Sequence, residues 1–187
     1  VNTLQVHAAA NVIEKIMKSD EGILITAADL DVSDAGGETI TYKWSIVKDG
    51  TDYTTKEING KPLVVSQQDK FGVLSVDGNC VLDGATISLT MKDQKGAEVV
   101  WDTTVLLRVM HTPLIVMGSR DNIWFAGEEQ HYHICKGCKA EYGHAEHTSG
   151  DWIVDKEATE EETGSRHKEC TVCGKVMVTE KIQQLEC

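Results

Sequence analysis

The apolar side chains at the start of the chain recur every three or four positions. They are Leu4, Ala8, Val12, Ile13, Ile16 and Met17. This spacing places them on one side of a helix, so it predicts a short amphipathic helix over residues 1–19. We expect its apolar side to pack on an adjacent domain of the same chain or on a neighbouring subunit.

From residue 20 to residue 110 the pattern changes to an alternation with a period of two. Ile40, Tyr42, Trp44 and Ile46 occupy every second position, so they share one face of a half-buried strand. Further apolar runs of strand length lie at 22–26, 63–66, 71–76, 85–91 and 99–109. Each of these runs predicts a further strand.

Turn-forming residues separate these runs. The dipeptide Asn59-Gly60 is the strongest hairpin signal in the chain, because both residues tolerate the positive φ angles of a tight turn. Short strands separated by turns, with no helical period between them, predict an antiparallel β-sandwich over 20–110. We expect Trp44 to be the buried centre of that sandwich.

The same region resembles the immunoglobulin-like (Ig-like) modules of bacterial surface proteins. The resemblance lies in the segments ADLDV at 28–32, TYKW at 41–44 and ATISLTMKD at 85–93. It implies that Trp44 is the core tryptophan of the third strand. The cysteine pair of antibody domains is missing, since Cys80 is the only cysteine between residues 20 and 110.

Charge and length narrow the range of partners. The chain has 18 Lys and Arg against 30 Asp and Glu, a formal net charge of −12. A nucleic acid backbone requires clustered cations, so we expect no nucleic acid binding.

The longest apolar stretch, 105–117, contains Arg108, His111 and Pro113. It is shorter than the ~20 residues of a membrane-spanning helix, so we expect no membrane insertion. The chain begins with Val1 rather than Met, which indicates a mature or excised fragment.

Cysteine and histidine are concentrated late in the chain. Five of the six cysteines and five of the seven histidines follow residue 128. We therefore expect a second domain at 131–187, joined to the sandwich by a connector at 111–130. It contains two Cys-x-x-Cys pairs, Cys135 with Cys138 and Cys170 with Cys173. Each pair offers two sulfurs to one metal ion, so the spacing predicts one structural zinc ion bound by all four thiolates.

Other chemistry stays open for these thiols. In an oxidising compartment they form two disulfides in any of three pairings, and paired Cys-x-x-Cys turns also suit a rubredoxin-like iron. Four histidines are reserve ligands for a replaced cysteine or a second ion: His131, His133, His144 and His147. Cys80 and Cys187 receive no role from the sequence.

The region 131–183 resembles a cysteine-rich repeat found in large surface proteins of anaerobic Gram-positive gut bacteria. The motifs that carry the resemblance are Gly143-His144, GDWIVDKEAT at 150–159, ETGSRHKECTVCGK at 162–175 and TEKI at 179–182. In that repeat a cysteine usually follows the Ala-Thr pair, where this chain has Glu160. Cys135 and Cys138 are therefore expected to supply the missing sulfurs. The resemblance implies extracellular display and no catalytic activity.

The predicted fold is mainly β. An Ig-like antiparallel β-sandwich with a short N-terminal helix is followed by a small zinc-stapled β module, with strands near 152–154, 167–169 and 176–181. The sequence shows no nucleophile elbow and no phosphate-binding loop, and two Cys-x-x-Cys pairs leave no open metal position. We therefore expect that the protein is not an enzyme.

The expected function is that of a structural or adhesive segment of an extracellular protein on a bacterial cell surface. Its partners would be a surface protein, a glycan or a second copy of the chain. One alternative is a subunit of a self-assembling surface filament. The other is a carbohydrate-binding module of a secreted enzyme, in which Trp101, Trp124 or Trp152 stacks on sugar rings.

Overall fold

A computed structural model of the protein describes residues 11–32, 40–92 and 95–187. The chain forms two compact units. Unit 1 runs to Thr112 and also includes the segment Lys136–Lys139. Unit 2 consists of Pro113–Cys135 and Ala140–Cys187. The residues predicted as a connector, 111–130, therefore belong to unit 2 from Pro113 onward.

Strands dominate the described residues of both units. Those of unit 1 are β1 (Val12–Lys18), β2 (Ile23–Thr26), β3 (Thr41–Lys48), β4 (Thr51–Asp52), β5 (Glu57–Ile58), β6 (Lys61–Pro62), β7 (Val64–Gln67), β8 (Lys70–Val73), β9 (Thr86–Lys92), β10 (Glu98–Val100) and β11 (Thr104–Met110). Those of unit 2 are β12 (Phe125–Ala126), β13 (Gln130–Ile134), β14 (Glu141–Glu146), β15 (Ile153–Lys156), β16 (Gly164–Glu169) and β17 (Val176–Ile182). Short 3-10 helices lie at Ala27–Leu30, Asn79–Leu82 and Arg120–Asn122.

Unit 1 is a two-sheet sandwich. One sheet has the strand order β1-β11-β9-β3-β4, with β10 also paired to β9, and the other has the order β2-β8-β7. Strands β2, β3, β7, β8, β9 and β11 are divided between the sheets as strands B to G of an immunoglobulin sandwich are. The predicted Ig-like sandwich is therefore confirmed by the topology.

The core of unit 1 lies between the two sheets, where apolar side chains from both pack together. Trp44 on β3 is 2% exposed, and its ring centroid lies 5.6 Å from that of Phe71 on β8. The indole nitrogen of Trp44 donates a hydrogen bond to the carbonyl of Gln68 at 3.1 Å. Because the single polar atom of this large side chain is satisfied, its burial is favourable. The prediction that Trp44 is the buried centre is confirmed.

The predicted N-terminal helix is wrong where the structure describes it, because Val12–Lys18 is the strand β1. The first ten residues of that prediction lie outside the described residues. Strand β1 pairs in parallel with β11, in a register that sets Val12 opposite Thr104 and Lys18 opposite Met110. The backbone of β11 therefore supplies the hydrogen-bond partners that a helix would have found within itself.

The side chains of β1 follow the strand period instead of the helical one. Met17 is buried and Ile13 is half-buried, whereas Val12 and Ile16 are exposed. Apolar residues at these four positions fit a helix face as well as a strand. The β-branched side chains of Val12, Ile13 and Ile16 and the long-range pairing with β11 decide the outcome.

Two local predictions in the sandwich have different outcomes. The Asn59-Gly60 turn joins β5 to β6, and both residues have the positive φ angles that the hairpin prediction requires, 53° and 74°. The predicted strand over 99–109 is instead interrupted between β10 and β11. There the amide of Trp101 donates to the carbonyl of Leu89 at 2.9 Å.

Unit 2 contains two three-stranded antiparallel sheets, β12-β13-β14 and β15-β16-β17. The strands predicted near 152–154, 167–169 and 176–181 correspond to β15, β16 and β17. Among the described residues of the whole chain, no helix has the length and apolar character needed to cross a bilayer.

Unit 2 buries very few of its residues. They are His131, Cys135, Gly164, Cys170 and Cys173. The apolar side chains of the last sheet, such as Ile153, Val176 and Val178, are exposed. Four of the five buried residues therefore carry the nitrogen or sulfur atoms that metals prefer, and hydrophobic burial contributes little to the stability of this unit.

Candidate metal centres

The two Cys-x-x-Cys pairs lie in equivalent hairpin loops. In the loop between β13 and β14 the amide of Cys135 donates to the carbonyl of Ala140 at 2.8 Å. In the loop between β16 and β17 the amide of Cys170 donates to the carbonyl of Lys175, also at 2.8 Å. The residues that follow the two pairs, Lys139 and Gly174, have positive φ angles, and the chain reverses there. These loops have the tight bend that lets two cysteines of one turn bind one ion.

One group of candidate ligands lies entirely within unit 2. It consists of His131 on β13, His147 just after β14, and Cys170 and Cys173 in the second loop, whose ligand atoms all lie within 4.8 Å of one another. His131, Cys170 and Cys173 are only 2%, 0% and 3% exposed. Two thiols and two imidazoles form a donor set that suits tetrahedral zinc.

The distances within this group match a tetrahedral shell. With Zn–N bonds of about 2.05 Å and Zn–S bonds of about 2.3 Å, tetrahedral ligands are about 3.3 Å (N to N) and 3.6 Å (N to S) apart. The Nδ1 atoms of His131 and His147 are 3.4 Å apart. His131 Nδ1 lies 3.6 Å from Cys170 Sγ, and His147 Nδ1 lies 3.4 Å from Cys173 Sγ. The residues present therefore fit the ion.

A hydrogen bond outside this group orients His147. Its Nε2–H donates to the carbonyl of Gly127 at 2.8 Å, so the lone pair lies on Nδ1, the atom that faces Cys173. The ammonium of Lys175 donates to the same Gly127 carbonyl at 2.9 Å. It therefore links the backbone at Gly127 to the turn that carries Cys170 and Cys173. Metal-bound histidines generally have such outer partners, which fix the tautomer and the ring orientation.

Aromatic packing holds His131 in place. The ring of Trp124 meets the His131 imidazole edge-on, with centroids 4.8 Å apart, and stacks on His133 at 3.8 Å. His133 in turn donates from Nδ1 to the carbonyl of Ile123 at 2.7 Å. Trp124 therefore shields the buried ligand, and His133 supports Trp124 instead of joining the group.

The two thiols of this group differ in acidity. Burial opposes ionisation of Cys170. However, hydrogen bonds from the backbone of Cys173, Thr148 and Val172 and from the side chain of His147 lower the Cys170 pKa to about 5. The Thr148 amide nitrogen lies 3.4 Å from Cys170 Sγ. Burial, together with the neighbouring Cys170, raises the pKa of Cys173. Cys170 is therefore prepared to be a thiolate, the form that binds metals.

A second group lies in unit 1 and brings together Cys80, His111 and Cys138, whose ligand atoms also lie within 4.8 Å of one another. Cys80 belongs to the 3-10 helix Asn79–Leu82, and His111 directly follows β11. His111 Nδ1 lies 3.7 Å from Cys80 Sγ and 3.6 Å from Cys138 Sγ. These distances are also those of neighbouring ligands in a tetrahedral zinc shell.

Of the four cysteines of the predicted site, Cys170 and Cys173 lie in the first group and Cys138 lies in the second, while Cys135 precedes the turn that carries Cys138. Of the reserve histidines, His131 and His147 join Cys170 and Cys173, whereas His133 and His144 lie elsewhere. His144 pairs through Nε2 with a carboxylate oxygen of Glu141 at 3.0 Å. These cysteines thus lie in groups that also contain histidine.

Neither Cys80 nor His111 has a role predicted from the sequence. Cys80 lies far from any other cysteine in the sequence, so no spacing motif includes it. His111 did have a signal, because His111-Thr112 and His147-Thr148 repeat the same dipeptide upstream of each Cys-x-x-Cys pair. No disulfide joins any of the six cysteines, all of which lie in the described ranges.

The comparisons with known proteins add little. The sequence matches no family model and no curated protein sequence. Among solved structures, extracellular domains 3–5 of Drosophila OTK align with 91% of this chain and 61% of that chain, at 11% identity and a TM-score of 0.32. The N-terminal four Ig domains of Dscam1 isoform 4.44 align with 92% of this chain and 50% of that chain, at 10% identity and a TM-score of 0.33. This chain thus spans between half and about three fifths of the length of these two structures.

Proposed function

We propose that this chain is a non-catalytic structural or adhesive segment of an extracellular protein on a bacterial cell surface, and that zinc holds unit 2 together. One observation carries the proposal. The buried residues of unit 2 are almost all potential metal ligands, while the apolar side chains of its last sheet are exposed. A unit with so little apolar burial needs a metal or covalent crosslinks to stay folded.

Zinc suits the group in unit 2 better than other metals do. Two thiolates and two imidazoles at tetrahedral spacing form one of the common structural zinc sets, whereas calcium and magnesium prefer oxygen ligands. The buried imidazole of His131 also distinguishes this group from the four thiolates of a rubredoxin-like iron site.

The proposed role of the ion is structural because the shell is complete. His131, His147, Cys170 and Cys173 fill all four positions of a tetrahedron. A catalytic zinc ion keeps one position for water or substrate. The chain's own residues hold and orient the ion, and they leave it no room to activate a water molecule.

The proposed surface role rests on three features. They are the Ig-like sandwich of unit 1, the net charge of −12, and the resemblance of 131–183 to the surface-protein repeat. A strong negative charge keeps such a segment soluble. The partner would be a surface protein, a glycan or another copy of the chain.

The tryptophans support a scaffold more than a sugar-binding platform. Trp44 is buried, and Trp124 stacks on His133. Trp152 is half-buried and lies against the cationic groups of Arg166 and Lys168, 4.2 and 4.8 Å from its ring centroid. These rings already have packing partners that a sugar ring would have to displace.

Replacing His131 tests the zinc site of unit 2. We expect His131→Ala to weaken zinc binding at this site by more than the roughly 10- to 100-fold that loss of an outer-shell partner costs. The measurement is zinc competition against a chromophoric chelator, with the full chain. His144→Ala is the matched control, because His144 pairs with Glu141 outside both groups. Equal zinc affinities for the wild type and His131→Ala would contradict the proposal.

A further inference from the structure

The two Cys-x-x-Cys loops are built on one plan, which extends beyond the loops themselves. In the first, the amide of Lys136 donates to the carbonyl of Thr112 at 2.7 Å. In the second, the amide of Thr171 donates to the carbonyl of Thr148 at 2.8 Å. In each case the residue after the first cysteine of the pair is attached to a threonine that lies upstream in the chain.

The bridges next to these hydrogen bonds repeat the same plan. Pro113 forms an isolated antiparallel bridge with Cys135, and Ser149 forms one with Cys170. These bridges place each threonine, and the histidine before it, beside the first cysteine of a pair. The match extends over both backbone and side chains, so it is not a coincidence of cysteine spacing alone.

The histidine before each threonine is a candidate ligand at its own loop. His111 Nδ1 lies 3.6 Å from Cys138 Sγ, and His147 Nδ1 lies 3.4 Å from Cys173 Sγ. At both loops a histidine thus faces the second cysteine of the pair. What differs is the ligand that an upstream element supplies.

The upstream ligand is His131 for the second loop and Cys80 for the first. Cys80 lies 3.7 Å from His111 Nδ1, the same atom that faces Cys138. Nearby contacts within unit 1 hold the Lys136–Lys139 turn in place. The amide of Gly78 donates to the carbonyl of Gly137 at 3.0 Å, close to Cys80 in the chain.

Further contacts within unit 1 fix the same turn. Lys136 Nζ lies 3.9 Å from a carboxylate oxygen of Asp20. A Cβ atom at Gly137 would lie only 2.8 Å from the side chain of Ser19, so a glycine is required for this close approach. Contacts within the protein thus hold this turn, which lowers the entropic cost of forming a site there.

We infer that Cys80, His111 and Cys138 of unit 1 bind a second zinc ion, so that the chain binds two ions in tandem. This inference rests on the proposed function, because it extends the zinc chemistry of unit 2 to the first loop. The second ion would attach the Lys136–Lys139 turn to the 3-10 helix that carries Cys80, within unit 1. Cysteine thiolates and histidine imidazoles are the ligands that zinc prefers in proteins.

Metal stoichiometry tests the inference. Purified full-length chain, equilibrated with zinc and washed free of excess ion, is measured by native mass spectrometry and elemental analysis. We expect two zinc ions per wild-type chain and one per Cys80→Ala chain. His111→Ala, at an exposed position, is expected to give the same loss if Cys80→Ala fails to fold. Cys187→Ala is the control and keeps both ions, because Cys187 lies outside both groups.

The outcomes separate this inference from the proposed function. One ion in the wild type, lost in His131→Ala and kept in Cys80→Ala, would overturn the second site and leave the unit 2 site standing. One ion lost only in Cys80→Ala would support the second site and contradict the zinc site of unit 2. Two ions retained in both Cys80→Ala and His111→Ala would overturn the inference directly.

Discussion

Removal of metal by a chelator is expected to unfold unit 2 and to leave the sandwich of unit 1 folded. In small zinc modules, apparent metal-binding free energies of about 10 to 16 kcal/mol stabilise the fold. The buried residues of unit 2 are His131, Cys135, Gly164, Cys170 and Cys173, so its apolar burial offers little to offset such a loss. The sandwich has a continuous apolar core between its two sheets and needs no ion to keep it.

Amide spectra of the full chain, recorded by NMR before and after chelation, are the appropriate measurement. Signals from β15, β16 and β17 should collapse to the narrow range of unfolded chains, while those from β3 and β9 should keep their dispersion. Added zinc should restore the first set, and added magnesium, which prefers oxygen ligands, should not. Unchanged signals from β16 and β17 in metal-free protein would contradict the account.

Truncation of the core tryptophan is the second large effect that we expect. Trp44→Ala should lower the free energy of unfolding of unit 1 by about 3 to 5 kcal/mol, because it leaves a cavity in a closely packed core. Trp44 is 2% exposed, and it contacts Phe71 of the opposite sheet. The substitution also removes the donor to the Gln68 carbonyl. Such a loss is a large fraction of the roughly 5 to 15 kcal/mol by which a domain of ordinary stability is folded.

Denaturant titration of the full chain, followed by signals of unit 1, measures this effect. Trp44→Phe should cost less than Trp44→Ala, since it keeps most of the apolar volume. Leu24→Ala is a surface control, because Leu24 is 60% exposed on β2 and its loss should change stability by no more than about 0.5 kcal/mol. A loss below about 1 kcal/mol for Trp44→Ala would mean that the ring does not fill the core.

The sandwich was predictable because its signals are local. The alternation through Trp44 and Ile46 survives as the buried face of β3, and the Asn59-Gly60 turn joins two short strands as expected. The helix predicted over Val12–Lys18 was wrong because the apolar positions of this segment fit a helix face and a strand equally well. The edge of β11 determined the result, and no local pattern of β1 reveals that pairing.

The candidate metal groups were predictable only in part, because only some of their residues lie close together in the sequence. Each Cys-x-x-Cys turn is visible because both of its ligands lie within four residues of sequence. The prediction that both turns bind one ion concerns tertiary structure, and in the structure each turn lies near a histidine and an upstream candidate ligand of its own. His131 and Cys80 reach these positions through strand pairing and helix placement, which residue spacing does not encode.

X-ray absorption at the zinc K edge of the full chain tests the central claim most directly, because it reports the atoms bound to the ion. The account predicts four-coordinate zinc with sulfur at about 2.3 Å and imidazole nitrogen at about 2.0 to 2.1 Å in the same shell. His131→Ala should reduce the imidazole contribution relative to His144→Ala. A shell of sulfur alone, or one with five or six ligands that include water or carboxylate oxygen, would contradict closed sites of mixed cysteine and histidine.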